Sequence, residues 1–100
     1  EAMASEKLVV APHETGQKDF LNINNSLKIS GEYVVAPKEY QYWKESHNAK
    51  VFMPNIDSIR EQMRRAYSMD NGVLSKNARS CAEEYTWSSA VDKILEVCNV

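Results

Sequence analysis

The chain is poor in the residues that build most compact active sites. It has two histidines, two cysteines and three glycines in 100 residues. His13 has no second histidine four positions on, so "HETGQ" is not a zinc-protease helix, and no Cys/His set has metal-ligand spacing. Gly16, Gly31 and Gly72 are scattered, which rules out a glycine-rich phosphate loop. There is no Gly-x-Ser-x-Gly elbow and no nucleophile beside a histidine in sequence. No Asp-x-Asp pair is present to hold a divalent cation between phosphates. Positive charge is not in surplus either: 12 basic residues face 14 acidic ones, for a net charge of −2, which argues against a nucleic-acid-binding face. No apolar run approaches the roughly 20 residues of a membrane span, so no transmembrane segment is expected.

Hydrophobic residues make up 43% and charged residues 26% of the chain, ordinary values for a globular domain or part of one. At this length a single layered core is possible, but a deep two-walled cleft is not. Residues 1–5 are good helix formers and read as the end of a helix. "KLVVA" (7–11) is a continuous apolar run, as in a parallel strand covered on both faces, and Pro12 stops it. "HETGQ" reads as a turn, "QKDFL" as a short helical turn and 22–26 as loop. "LKIS" (27–30) alternates like a strand ended by Gly31. Residues 32–50 are the least legible: "YVVAP" suits a strand or an extended segment, and the stretch that follows has no clean period. "KVFMP" (50–54) is a short apolar run stopped by proline.

From residue 55 the period becomes helical. Ile56, Ile59, Met63, Ala66 and Tyr67 share one face, with Asn55, or Asp57 with Ser58, as the cap. "MDNG" (69–72) breaks that helix. A second stripe follows at Leu74, Ala78, Cys81, Ala82 and Tyr85. Thr86 caps a third, with Trp87, Ala90, Val91, Ile94, Leu95 and Cys98. Both cysteines fall on these stripes and read as small core residues; reduced thiols suit a cytoplasmic setting. The order is strand and loop over 1–54 and helices over 55–99, the pattern of part of an α/β domain with parallel strands. The aromatic cluster Tyr33, Tyr40, Tyr42 and Trp43 suits either stacking on a sugar or base, or covering the sheet. Asn24-Asn25-Ser26 matches a glycosylation sequon of the kind that arises often by chance.

Four segments in order carry a resemblance. "EAMASEKLVVA" (1–11) resembles the Glu-Ala-Met-Ala segment, followed by a Val-Val-Ala strand, of the large retaining glycosyltransferase family four. "TGQKDFL" (15–21) is similar to that family's Ser/Thr-Gly-x-x-Asp/Glu-Phe turn, and "MPNIDSIREQMRRAY" (53–67) to its Pro-Asp helix. "LSKNARSCAEEYTWSSAVDKILEV" (74–97) is similar to its Ala-rich helix, Phe/Tyr-Ser/Thr-Trp step and closing helix. Pro12-His13-Glu14 departs from the usual small or polar loop, only one glycine stands where many members have two, and 22–50 is longer than usual. That length resembles a subgroup with a Tyr/Trp-rich insert.

The resemblance implies a Rossmann-like GT-B fold. The chain would be a fragment of the C-terminal donor-binding domain of a longer hexosyltransferase, not active alone. It implies a nucleotide-sugar donor (a GDP- or UDP-sugar), a glycan or other hydroxyl acceptor, transfer with retention, no metal, and a separate N-terminal domain that holds most of the acceptor. Glu1 would be the second glutamate of the family's E-x₇-E motif and would accept hydrogen bonds from both donor ribose hydroxyls. A carboxylate offers two oxygens where a vicinal diol offers two donors. Its helix would help orient the diphosphate. No catalytic residue is assigned within 1–100. Trp87 would open a last helix that crosses onto the N-terminal domain, or would simply pack in the core. A small non-catalytic α/β module that binds a partner is the alternative.

Overall fold

Residues 1–5 make one helical turn, and the chain leaves it by a specific device. The Ser5 N–H donates to the Glu1 carbonyl, the Glu6 N–H to Met3 and the Lys7 N–H to Ala2, at 3.0 to 3.1 Å. Glu6 lies in the left-handed region at φ 55°. A six-to-one bond nested around a shorter one, with a left-handed residue between, is the Schellman closure of a helix. The helix end expected from composition is present, and its left-handed position holds glutamate where glycine is usual.

The computed structural model describes residues 1–40 and 49–99. After the turn the chain extends into β1 (Val10–Ala11), which pairs in parallel with β2 (Leu27–Lys28) in the register Val10 to Leu27. The crossover between them is a short 3₁₀ turn at Thr15–Asp19. The expected strand over 7–11 is thus ordered as a ladder only at its end. Leu8, Val9 and Val10 are half-buried rather than covered on both faces, because no strand lies along the outer edge of β1 among the described residues.

The least legible stretch is bracketed by a strand pair. β3 (Gly31–Val35) runs antiparallel to β4 (Lys50–Pro54), with Tyr33 opposite Phe52. Their rings meet edge to face at 5.4 Å. This corrects the expectation of parallel strands throughout: only β1 and β2 are parallel. Tyr42 and Trp43 lie outside the described residues, and Tyr40 closes a 3₁₀ turn at Lys38–Tyr40.

Three helices follow, as the period predicts: α1 (Ile56–Ser68), α2 (Gly72–Glu83) and α3 (Trp87–Val97). Asn55 caps α1 by accepting from the Ser58 N–H at 3.0 Å. Thr86 caps α3 by accepting from the Ser89 N–H at 3.1 Å. Ser30 ties α1 to the end of β2: its N–H donates to Ser58 Oγ at 2.8 Å and its carbonyl accepts from the Asn55 N–H at 2.8 Å. α1 packs on β1 and β2, and α2 covers the Glu1 turn. The buried apolar residues are few: Met3, Leu21 and Ala78 cluster with Val9, Ala11, Cys81 and Ala82 against them, and Leu27, Ile29 and Ala36 are buried besides.

Two expectations about packing need correction. Cys98 is exposed, so only Cys81 serves as a core cysteine. Trp87 is 90% exposed, and Val91, Ile94 and Leu95 are exposed too, so much of the α3 stripe is left open to solvent.

Candidate functional site

Glu1, the one sequence-assigned ligand residue, lies exposed at the rim of a hollow of about 330 Å³. Met3, Ala4, Phe20, Cys81, Ala82 and Tyr85 line the rest. Three elements meet there: the closing turn of 1–6, the end of the 3₁₀ crossover, and the C-terminal half of α2. Met3 plugs the core below Glu1, since Met3 and Ala78 are both buried in it. That fixes the face of the turn that Glu1 occupies.

α2 and the residue just past its cap fasten the neighbouring loop at two points. The Tyr85 hydroxyl donates to the Asp19 carbonyl at 3.2 Å, and Cys81 Sγ lies 3.5 Å from the Phe20 carbonyl. Phe20 and Tyr85 cross edge to face at 6.3 Å and make an aromatic wall. Glu1 is therefore one of the residues lining an apolar-walled recess.

A second polar cluster sits beyond the carboxyl end of β1. Ser26 Oγ lies 2.7 Å from His13 Nε2, 2.9 Å from the Asn22 carbonyl and 3.0 Å from Asn25 Oδ1. The Ser26 hydroxyl is thus shared among the His13 ring and two oxygens. Burial holds the His13 pKa below its ordinary 6.5, Lys28 pushes the same way, and Glu14 opposes them. The contact has the geometry of a nucleophile and base, but Ser26 is 2% exposed and unreachable by substrate. It is a latch: with Asn25, which accepts from the Asn22 N–H and donates to the Phe20 carbonyl, it locks the 22–26 loop onto β2.

Beside it the Tyr33 hydroxyl donates to Glu14 Oε2 at 2.8 Å, and that bond is the main cause raising the Tyr33 pKa above 10.0. Of the sequence's aromatic cluster, Tyr33 is thus accounted for by Phe52 and Glu14 rather than by a free stacking platform. Asn24 of the sequon is exposed, and its carbonyl accepts from Asn77 Nδ2 at 2.7 Å. Among the described residues no group of three or more His, Cys, Asp or Glu side chains is placed to hold a metal ion. No helix among them is long and apolar enough to cross a membrane.

Sequence reasoning missed Phe20 as a wall of the recess that Glu1 lines. The α2 stripe placed Cys81, Ala82 and Tyr85 on the correct face, but not what they would meet. No protein-family model, curated protein or solved structure matches the chain.

Proposed function

We propose that the chain is the donor-side segment of a longer retaining glycosyltransferase with a Rossmann-like GT-B fold. The enzyme transfers a sugar from a GDP- or UDP-sugar to a saccharide or other hydroxyl acceptor in the cytoplasm without a metal. This segment supplies grip on the donor; the reacting groups and the acceptor-holding N-terminal domain belong to the rest of that polypeptide. The observation that carries the reading is the Glu1 turn. Glu1 lines an aromatic-walled recess and sits on a Schellman-closed turn that leads directly into a parallel strand. The four sequence segments similar to family four fall, in order, on that turn and strand, on the 3₁₀ crossover, on β4 with α1, and on α2 with α3.

The alternative, a small partner-binding α/β module, draws support from the exposed α3 stripe. The residue eight positions before Glu1 separates the two: a glutamate there fits the enzyme, and an initiator methionine or linker fits the module.

The functional test is Glu1→Gln in the full-length polypeptide. The substitution keeps size but exchanges one acceptor oxygen for a donor amide. A hydrogen bond to a charged group contributes about 1.5–3 kcal/mol, and each 1.4 kcal/mol is about tenfold in affinity. Donor binding measured by calorimetry is expected to weaken about ten- to a hundredfold, with the acceptor constant unchanged. A 2′-deoxy donor is expected to lose much less, because one hydroxyl that Glu1 would hold is already gone. Unchanged affinity for the normal donor, or equal losses for both donors, would make Glu1 a structural residue.

A further inference from the structure

The last turn of a helix leaves carbonyls that its own backbone cannot satisfy. In the Glu1 turn three carbonyls are satisfied by the turn's own backbone. The Glu1 carbonyl accepts from the Ser5 N–H, that of Ala2 from Lys7 and that of Met3 from Glu6. The Ala4 carbonyl receives its proton from outside the turn: Arg79 Nη1 donates to it at 2.9 Å. Arg79 comes from α2, 75 residues along the chain. Its guanidinium is aimed by Glu83, whose Oε1 accepts from Arg79 Nε at 3.0 Å one helical turn on. The planar fork is thus divided, one edge held on α2 and the other placed on the turn, a division that a single ammonium cannot copy in full.

We propose that Arg79 is a positioning residue for Glu1. This rests on the reading of Glu1 as a donor ribose ligand. Arg79 does not touch the recess; it acts through the Ala4 carbonyl, three residues from Glu1. Met3 pins one side of the turn in the core, and Arg79 pins its carboxyl end to α2. With both in place the turn cannot roll, and the carboxylate keeps one presentation toward the recess. Without Arg79 the turn keeps its Schellman bonds and its Met3 plug, so it persists but is free to pivot about Met3. A bidentate match between carboxylate and diol is sensitive to such a pivot, because both bonds must be made together.

The experiment is a double-mutant cycle in the full-length polypeptide, titrated calorimetrically with UDP-glucose or GDP-mannose, whichever the wild type binds, and with the 2′-deoxy analogue of that donor. Arg79→Met is expected to weaken the normal donor about three- to tenfold, less than the direct contact, because it removes orientation rather than a bond. It is expected to weaken the 2′-deoxy donor less than about twofold, since only one hydroxyl remains to be aligned. Arg79→Lys still reaches the Ala4 carbonyl and is expected to recover most of the loss; it also serves as the readable variant if Arg79→Met fails to fold. Combining Arg79→Met with Glu1→Gln is expected to add nothing to Glu1→Gln alone, the mark of two residues acting through one contact. Additive losses, equal losses on both donors, or an unchanged affinity in Arg79→Met would overturn the assignment while leaving Glu1 in place. A normal donor affinity in Glu1→Gln would instead remove the ribose assignment, and with it any positioning role for Arg79.

Discussion

Glu6 shows how a local conformation can be fixed against a residue's own preference. At φ 55° it occupies the left-handed position of the Schellman closure, where a side chain costs about 1–2 kcal/mol. The bonds around it and the descent of the chain into β1 hold it there. Replacing it with glycine removes that cost but adds unfolded-state entropy worth about 0.5–1 kcal/mol. Glu6→Gly is therefore expected to stabilise the fold by about 0.5–1 kcal/mol, read as a higher urea midpoint with unchanged slope. A lower midpoint would mean that the Glu6 side chain contributes something beyond its backbone. The same position explains what was legible at this scale. Ala2, Met3 and Ala4 signalled a helix, and "KLVVA" signalled where it had to stop. The left-handed closing position was invisible, because glutamate stands there instead of glycine. Arg79 was invisible for a different reason: nothing in a sequence says which carbonyl a long cation will reach across 75 residues.

At the scale of elements, the strand pair β3–β4 depends on Gly31. A Cβ there would collide with the Met53 carbonyl oxygen and lie 2.9 Å from the Phe52 ring. The obstacle is backbone held in the antiparallel ladder, so it cannot swing aside as a flexible side chain would. Gly31→Ala is expected to cost about 1–3 kcal/mol by overpacking. Gly16 is the control: nothing lies within 4 Å of its position for a Cβ, so Gly16→Ala is expected to be neutral or slightly stabilising. Urea titration of the two variants side by side tests this, and equal effects would show that the close approach at Gly31 is relaxed by strand movement.

Sequence reading took Gly31 as the end of a strand and offered "YVVAP" as a strand or an extended segment, without its partner. Pairing partners 15 to 23 residues apart leave no local period to read. α1 carries the companion lesson. Its apolar stripe was read correctly as Ile56, Ile59, Met63, Ala66 and Tyr67. The face turned inward instead runs through Ile59, Gln62, Ala66 and Met69, and leaves Ile56, Met63 and Tyr67 exposed. A hydrophobic stripe reports that something covers a helix, not that the nearest sheet does.

The whole molecule is larger and flatter than 100 residues of closed globule. Its radius of gyration is 17.0 Å, where a compact domain of this length has about 13 Å. Its extents are 47 × 39 × 17 Å, so it is thin in one direction. Most of α3 lies bare, and its apolar positions Trp87, Val91, Ile94 and Cys98 follow a four-three-four spacing that suits burial against another surface. If the chain is a segment of a longer enzyme, that stripe is covered by polypeptide from outside it, and Trp87 reports the covering directly.

The measurement uses a Trp43→Phe background, which leaves Trp87 as the sole indole in the 100-residue chain. In that chain Trp87, being 90% exposed, is expected to emit at the long wavelength of indole in water and to be quenched by acrylamide almost as freely as a short peptide. The chain is also expected to bind a hydrophobic dye, because its exposed apolar residues form faces rather than isolated points. In the longer polypeptide, with its other tryptophans replaced, the emission is expected to move to shorter wavelength, quenching to fall several-fold, and dye binding to vanish. Emission from a buried indole in the 100-residue chain itself would place α3 against its own core and remove the argument for an outside partner. A fully exposed Trp87 in both contexts would leave α3 a solvent-facing helix and the donor-domain reading without its closing contact.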